Sequence, residues 1–250
     1  SDIHVHQLKY IKPEIIKNYL PDINEKILLN DHKIRVDYKN DKLSIEGNGK
    51  IQLEDRFDEI EYLILKKNNN FSFSSSLNLE NVNLKKHEFL QDYFPNINDK
   101  INLKNQKLII NYENKNISVS GEGKVKIDND FDKIKYLILK KDNNLNFNFV
   151  LNMDQTQFKI DQLNYQKKNT TESQLKLKGN FDHNKNRGLS YLGIFENNNK
   201  IEINNLIFDK NNLIKSLDSA NFDYVDNENK KNKFIIKKKD ENNYEIKGLA

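Results

Sequence analysis

A 74-residue internal repeat constrains the fold of this chain more than any other feature. The stretch FDEIEYLILKK (57–67) recurs 74 positions later as FDKIKYLILKK (131–141). From Gly47 to Lys67, 12 of 21 positions match their counterparts without a gap. A period of this length predicts tandem copies of a module with several secondary-structure elements, each packed beside the next. We place the copies at residues 11–84 and 85–158, followed by a divergent region, 159–250.

Each copy opens with a segment that has the pattern of a short helix. In the first copy, KPEIIKNYLP has a proline in its first turn and a second proline where the helix would end. The second copy has HEFLQDYFP at the same place, which ends at Pro95. The apolar positions are spaced to fall on one helical face: Ile15, Ile16, Tyr19 and Leu20, then Phe89, Leu90, Tyr93 and Phe94.

After each helical segment, apolar and polar residues alternate strictly, which is typical of β-strands with one apolar and one solvated face. Asn- and Lys-rich turns separate the strands, as at KNDK (39–42) and ENKN (113–116). The sequence therefore predicts a mainly β protein, a long curved antiparallel meander running as one continuous segment over residues 1–250. The residues predicted to line its apolar face are Leu43, Ile45, Gly47, Gly49, Ile51, Leu53, Ile117, Val119, Gly121, Gly123, Val125 and Ile127.

Two glycines in each copy occupy positions where the alternation calls for an inward side chain. One interpretation is a bend or bulge, because glycine lets a sheet coil sharply. The other is that the missing side chains leave width on the concave face for a ligand. The two interpretations are compatible, since a tightly coiled meander forms an open groove.

Composition excludes several classes of function. The 41 Lys and Arg against 37 Asp and Glu leave a net charge of only +4, with the signs interleaved, whereas nucleic-acid-binding proteins concentrate basic residues. The absence of Cys excludes disulfides, thiolate metal sites and a cysteine nucleophile. Apolar runs are too short to span a membrane. Because the chain starts at Ser1, we interpret it as a fragment, with any export signal or anchor upstream.

No residue set predicts catalysis, a cofactor or a metal. His4 and His6 share one side of a strand, but no third ligand is near them in the sequence, which favours a surface pair. Asp58 and Asp132 recur in the repeat and are expected to form turns before a strand. The chain has no nucleotide-binding loop and no nucleophile elbow. We therefore expect a protein that is not an enzyme and has no cofactor.

The repeated unit resembles the AsmA-like family of Gram-negative bacteria, in the branch that includes YhdP and TamB. The likeness lies in SIEGNGKIQLEDRFDEIEYLILKKNNNFSF and its copy SVSGEGKVKIDNDFDKIKYLILKKDNNLNF, and the chain looks like a central segment of a YhdP-type protein. Members are anchored in the inner membrane and extend through the periplasm as an apolar groove. The resemblance implies that this chain carries phospholipid acyl chains toward the outer membrane, with its membrane anchor in a segment outside these 250 residues.

The apolar face has two possible uses. In an open groove, the twelve lining residues would shield a lipid tail from water. In a structural or adhesive β-repeat spacer, the same faces would close on each other as a dry sandwich. Alternation alone is common to both, while the helix at the head of each copy and the paired glycines favour the groove.

Overall fold

The structure is a computed structural model that describes residues 1–12, 23–142, 144–167, 170–182, 187–209, 214–241 and 243–248. Over these residues the chain is almost entirely β. The strands are β1 (Asp2–Ile11), β2 (Lys26–Lys39), β3 (Lys42–Gln52), β4 (Phe57–Lys67), β5 (Asn70–Lys85), β6 (Lys100–Glu113), β7 (Asn116–Lys126), β8 (Phe131–Lys141), β9 (Asn144–Asn152), β10 (Phe158–Ile160), β11 (Tyr165–Lys167), β12 (Ser173–Asp182), β13 (Arg187–Glu196), β14 (Asn199–Phe208), β15 (Ile214–Ser216), β16 (Ser219–Val225), β17 (Lys231–Lys238) and β18 (Tyr244–Gly248).

Sixteen of the described strands belong to one antiparallel sheet that is not closed, and β10 and β11 form a separate hairpin. The prediction of a mainly β antiparallel meander is confirmed. In the divergent region, the segments QLKLKGNFD, NKIEINNLIFD and NKFIIKKKD also predict strands, and they form β12, β14 and β17. The break in alternation at NNLIKSLDSANFDYV (211–225) predicts a brief helical turn, with a strand at NFDYVD (221–226). The described residues 214–225 form β15 and β16, without a helical turn. Strand β13, RGLSYLGIFE, was not predicted.

The described chain separates into two compact units. One comprises residues 1–86 and 98–126, and the other comprises residues 87–97 and 127–250. In the first unit, β1 to β7 lie side by side in chain order. In the second, the sheet order is β8, β9, β12, β13, β14, β16, β17 and β18, with β15 pairing with β14.

Tight turns follow from the local sequence. Asn40 and Asp41 both have positive φ, 51° and 58°, and connect β2 to β3. Asn114 and Lys115 do the same between β6 and β7, with φ of 47° and 67°. Positive φ at both central residues matches the right-handed twist of a two-residue hairpin, and Asn and Asp tolerate it better than most residues. These turns lie where the sequence predicts them.

The helical segments are only partly described. The predicted helix of the first copy, which includes Ile15, Ile16, Tyr19 and Leu20, lies outside the described residues. In the second copy, Glu88–Asp92 forms a single 3₁₀ turn, with Leu90 N donating to His87 O at 3.0 Å. This turn is shorter than the α-helix that the apolar spacing suggests. A second 3₁₀ turn, Asp161–Leu163, connects β10 to β11.

Candidate functional site

The apolar face of the first unit is built from rows of residues that lie opposite one another across β2 to β7. In one such row, each residue pairs with the row's residue on the neighbouring strand, from β2 through to β7. Every side chain in this row is half-buried. We call it the open row; its members are Val36, Ile45, Ile64, Phe73, Tyr112 and Ile117.

Burial increases along the strands away from the open row. Val82, Leu103 and Val125 form another row across β5, β6 and β7, and all three are buried. Leu53 and Leu79 are buried as well. At the opposite end of the strands, Tyr38 is 70% exposed. The face is therefore packed at one end and accessible at the other.

The structure distributes the predicted lining residues between these two environments. In the first copy Leu43, Ile45, Gly49 and Ile51 are half-buried and Gly47 and Leu53 are buried; in the second copy Ile117, Val119, Gly121 and Gly123 are half-buried and Val125 and Ile127 are buried. All except Ile127 belong to the first unit, and Ile127 belongs to the second. Ile45 of β3 and Ile117 of β7 are members of the open row.

Sequence reasoning missed the partners that β4 to β6 add to this face. Ile64 of β4 pairs with both Ile45 and Phe73, which extends the open row across the sheet. The signal was present, because Ile64 recurs as Ile138 within the duplicated eleven-residue stretch. By alternation its neighbour Leu63 belongs to the other face. Because YLIL (62–65) is apolar throughout, the sequence alone does not indicate which of these residues share the face of Ile64.

The glycines of the apolar face make room for protein side chains. A Cβ at Gly47 would lie 2.2 Å from Cζ of Tyr62. A Cβ at Gly49 would lie 2.6 Å from Cδ2 of His32, and one at Gly123 would lie 2.3 Å from Nε2 of Gln106. At these three positions the space of the missing side chain is filled from a neighbouring strand.

A β-bulge explains the second glycine of each copy. Asn30 pairs with Lys50 and Lys33 pairs with Asn48, so two residues of β2 lie opposite Gly49 alone. The same shift occurs in β6 opposite Gly123, between Lys104 and Lys107. This agrees with the interpretation of the glycines as bulge positions.

The opposite, polar face of the first unit carries a concavity of about 980 Å³. Lys33, Arg35, Glu46 and Glu61 contribute charge to its lining, and Leu63 adds an apolar side chain. The sequence pattern predicts that the apolar residues lie on a concave face. Most residues that line this concavity belong to the polar phase of their strands, and Gly47 and Tyr62 contribute from the apolar phase.

The two repeated aspartates are buried inside strands and do not form turns. Asp58 Oδ1 accepts a hydrogen bond from Glu80 N at 2.7 Å. Asp132 accepts two, from Gln155 N at 3.0 Å and from Thr156 N at 2.9 Å. Burial raises the pKa of Asp58, and the Glu80 N–H acts in the opposite direction. Both carboxylates satisfy backbone donors of a neighbouring segment.

The second unit contains a buried polar cluster around Lys167, which is fully buried. Burial lowers the pKa of its ammonium, while the nearby Glu196 carboxylate raises it. Glu196 Oε2 accepts hydrogen bonds from Tyr165 Oη at 2.7 Å and from Asn199 Nδ2 at 3.0 Å. Burial also raises the pKa of Tyr165. The cluster joins the short hairpin β10–β11 to β13 through charge and hydrogen bonds.

Comparison with known proteins does not assign the chain to a family. No protein-family model matches it, and no match was found among curated proteins or among solved structures. Within the described residues, no helix has both the length and the apolar character needed to cross a membrane.

Proposed function

We propose that the chain binds phospholipid acyl chains on the apolar face of its sheet and carries them along that face. In this proposal it is a periplasmic segment of a protein anchored in the inner membrane, and it delivers lipid toward the outer membrane. The resemblance to AsmA-like proteins is the basis for the location, the anchor and the direction. The lipid-binding step also has physical support in the residues themselves.

The open row is the observation that carries the proposal. Had the face closed on a second sheet as a sandwich, Ile45, Ile64 and Phe73 would be as buried as Leu79 and Val82. They are half-buried instead. An uninterrupted row of accessible apolar side chains across six strands is the surface that a hydrocarbon tail needs.

The dimensions and the energetics suit this ligand. Six strands at a spacing of about 4.8 Å give a row roughly 24 Å long. The tails of one leaflet span about 15 Å, half of a hydrocarbon core about 30 Å thick, so one tail fits along the row. Exposing a tail of about 16 carbons to water costs on the order of 12 kcal/mol, at roughly 0.8 kcal/mol per CH₂. A continuous apolar surface lowers that barrier.

Native mass spectrometry of the purified protein, followed by lipid extraction, tests the proposal. We expect bound phospholipid in the wild-type protein, and its loss when Ile117→Glu and Val119→Glu are combined, because two carboxylates would interrupt the apolar face. The matched control combines Ser118→Glu and Ser120→Glu on the same strand, β7, whose alternation points them to the polar face.

The control should retain lipid at the wild-type level, with circular dichroism establishing that both variants are folded. A wild-type protein that carries no phospholipid in this measurement, or equal lipid in the two double variants, would overturn the proposal. The first of these outcomes favours the structural spacer.

A further inference from the structure

Two histidines and an aspartate converge at the edge of the first unit. His4 and His6 lie on β1, with their ring centroids 4.6 Å apart. Asp31 lies on β2, and the flanking pairs Val5–His32 and Gln7–Asn30 place it opposite His6. One potential ligand atom from each of the three residues lies within 4.8 Å of the others. The third ligand that the local sequence lacks is supplied by the neighbouring strand.

The β-bulge orients the aspartate. Asp31 has a φ of 51° and is one of the two residues that β2 places opposite Gly49. Asn30 Nδ2 donates to Asp31 Oδ2 at 2.9 Å, which orients the carboxylate and leaves Oδ1 for a ligand. All three side chains are exposed. They can therefore rotate toward a shared ion without disturbing the core.

We propose that His4, His6 and Asp31 bind a divalent transition-metal cation, with Zn²⁺ as the representative ion. Two imidazoles and one carboxylate form a ligand set that suits zinc and leaves at least one position for water. Tetrahedral ligands at about 2.1 Å from zinc lie roughly 3.4 Å apart, so the three side chains need to close by little more than 1 Å. The bound ion would cross-link edge strand β1 to β2.

The β5–β6 pair has the same backbone register as the β1–β2 pair, without the ligand set. Strand β5 pairs with β6 in the register that β1 and β2 use, displaced by 74 residues. The positions equivalent to the two histidines and the aspartate are Asn78, Glu80 and Asn105. Glu80 is paired with Arg56 at 2.8 Å. The bulge is therefore common to β2 and β6, whereas the two histidines and the aspartate occur only in the β1–β2 pair.

Isothermal titration of chelator-treated protein with Zn²⁺ tests the proposal. We expect one zinc ion per chain, and an affinity about tenfold or more weaker in His6→Gln and in Asp31→Asn. Asp31→Asn introduces the residue found at the equivalent bulge position of the second copy, so the fold should be retained. His87→Gln removes an exposed imidazole elsewhere and is the matched control, with wild-type affinity expected.

Thermal unfolding gives an independent readout. Zinc should raise the unfolding temperature of the wild-type protein and of His87→Gln, because the ion binds the folded state, and should raise that of His6→Gln by less at the same zinc concentration. Two results would overturn the proposal: wild-type protein that takes up no zinc at this titration, or His6→Gln and Asp31→Asn variants that bind it as tightly as the wild type.

Discussion

His32 and Gln106 occupy equivalent positions in the two copies and contact equivalent carbonyls, those of Lys50 and Lys124, with different side chains. Nε2 of His32 lies 3.0 Å from Lys50 O, and Nε2 of Gln106 donates to Lys124 O at 2.8 Å. Because a carbonyl only accepts, Nε2 of His32 must carry the proton. Nδ1 lies 3.3 Å from Tyr62 Oη. The substitution of Gln for His thus keeps the donor that satisfies a carbonyl beside the bulge.

The repeated aspartates differ in how many backbone donors they satisfy, and this predicts unequal effects of mutation. Asp132→Ala leaves the N–H groups of Gln155 and Thr156 without their acceptor, at about 1–3 kcal/mol each. Asp58→Ala deprives only Glu80 N–H and also removes a carboxylate whose burial is unfavourable. We expect Asp132→Ala to lower the free energy of unfolding more, as measured by urea denaturation.

Asn substitutions provide the control for this comparison, because an amide oxygen still accepts one hydrogen bond. Asp58→Asn should be close to wild type, and Asp132→Asn should fall between Asp132→Ala and the wild type. Equal losses for the two alanine variants would mean that the backbone donors are satisfied by water once the carboxylates are gone.

At the scale of elements, the alternation of apolar and polar residues predicts much of the fold, but it does not predict the strand register around the bulges. The phase of β3 and β7 follows from residues such as Ile45 and Val119, because a strand with one apolar face has period two. A bulge adds one residue and reverses that phase, so the register around Asp31 does not follow from alternation. For this reason the third residue of the His4–His6 cluster was not predictable.

A sequence signal for the bulge does exist, and it depends on comparing the copies. NDHK (30–33) and KNQK (104–107) interrupt the apolar alternation at the same offset, and each faces a glycine of the strand that follows, Gly49 or Gly123. Backbone conformation confirms the equivalence, because Asp31 and Asn105 have φ of 51° and 52°. Asp and Asn tolerate this left-handed conformation better than other residues with a side chain.

The left-handed residue of the bulge gives a prediction for β6. Asn105→Val places a β-branched side chain at a φ of 52°, which should lower the free energy of unfolding by about 1–2 kcal/mol. Asn105→Gly keeps the backbone conformation accessible and should cost much less. Urea denaturation of the two variants makes the comparison, and a Val variant as stable as the Gly variant would rule out this bulge geometry.

At the scale of the whole molecule, the boundaries of the two sequence copies differ from the boundaries of the two compact units. The second copy begins at residue 85, yet residues 87–97 belong to the unit that contains residues 127–250. Within that unit, Lys159 N donates to Tyr93 O at 2.9 Å, and the rings of Phe94 and Phe158 are 5.3 Å apart. The segment after β5 therefore packs on residues that follow the second copy's strands, which a repeat alignment alone does not indicate.

Two half-buried tyrosines predict how the stability of the molecule depends on alkaline pH. Burial raises the pKa of Tyr136 to about 12, and burial together with the nearby Glu202 raises the pKa of Tyr191 to about 12. An unfolded tyrosine titrates near pH 10, so above that pH the unfolded chain releases protons that the folded chain retains. The free energy of unfolding should therefore fall between about pH 10 and pH 12.

Lys167 has the opposite effect on the free energy of unfolding. Because its pKa is lowered in the folded state, the unfolded chain binds the extra proton, and the free energy of unfolding rises as pH increases toward 10.5.

Urea denaturation at about pH 9 and about pH 11 measures this fall, and Tyr136→Phe isolates one contribution. The variant lacks the ionisable hydroxyl, so its loss of stability between the two pH values should be smaller than that of the wild type. Tyr10→Phe, at a residue that is 57% exposed, is the matched control and should show the wild-type loss. Because each protein is compared with itself across pH, any effect on packing of removing the Tyr136 hydroxyl cancels. An identical fall in Tyr136→Phe and Tyr10→Phe would show that Tyr136 ionises as readily in the folded chain as in the unfolded one.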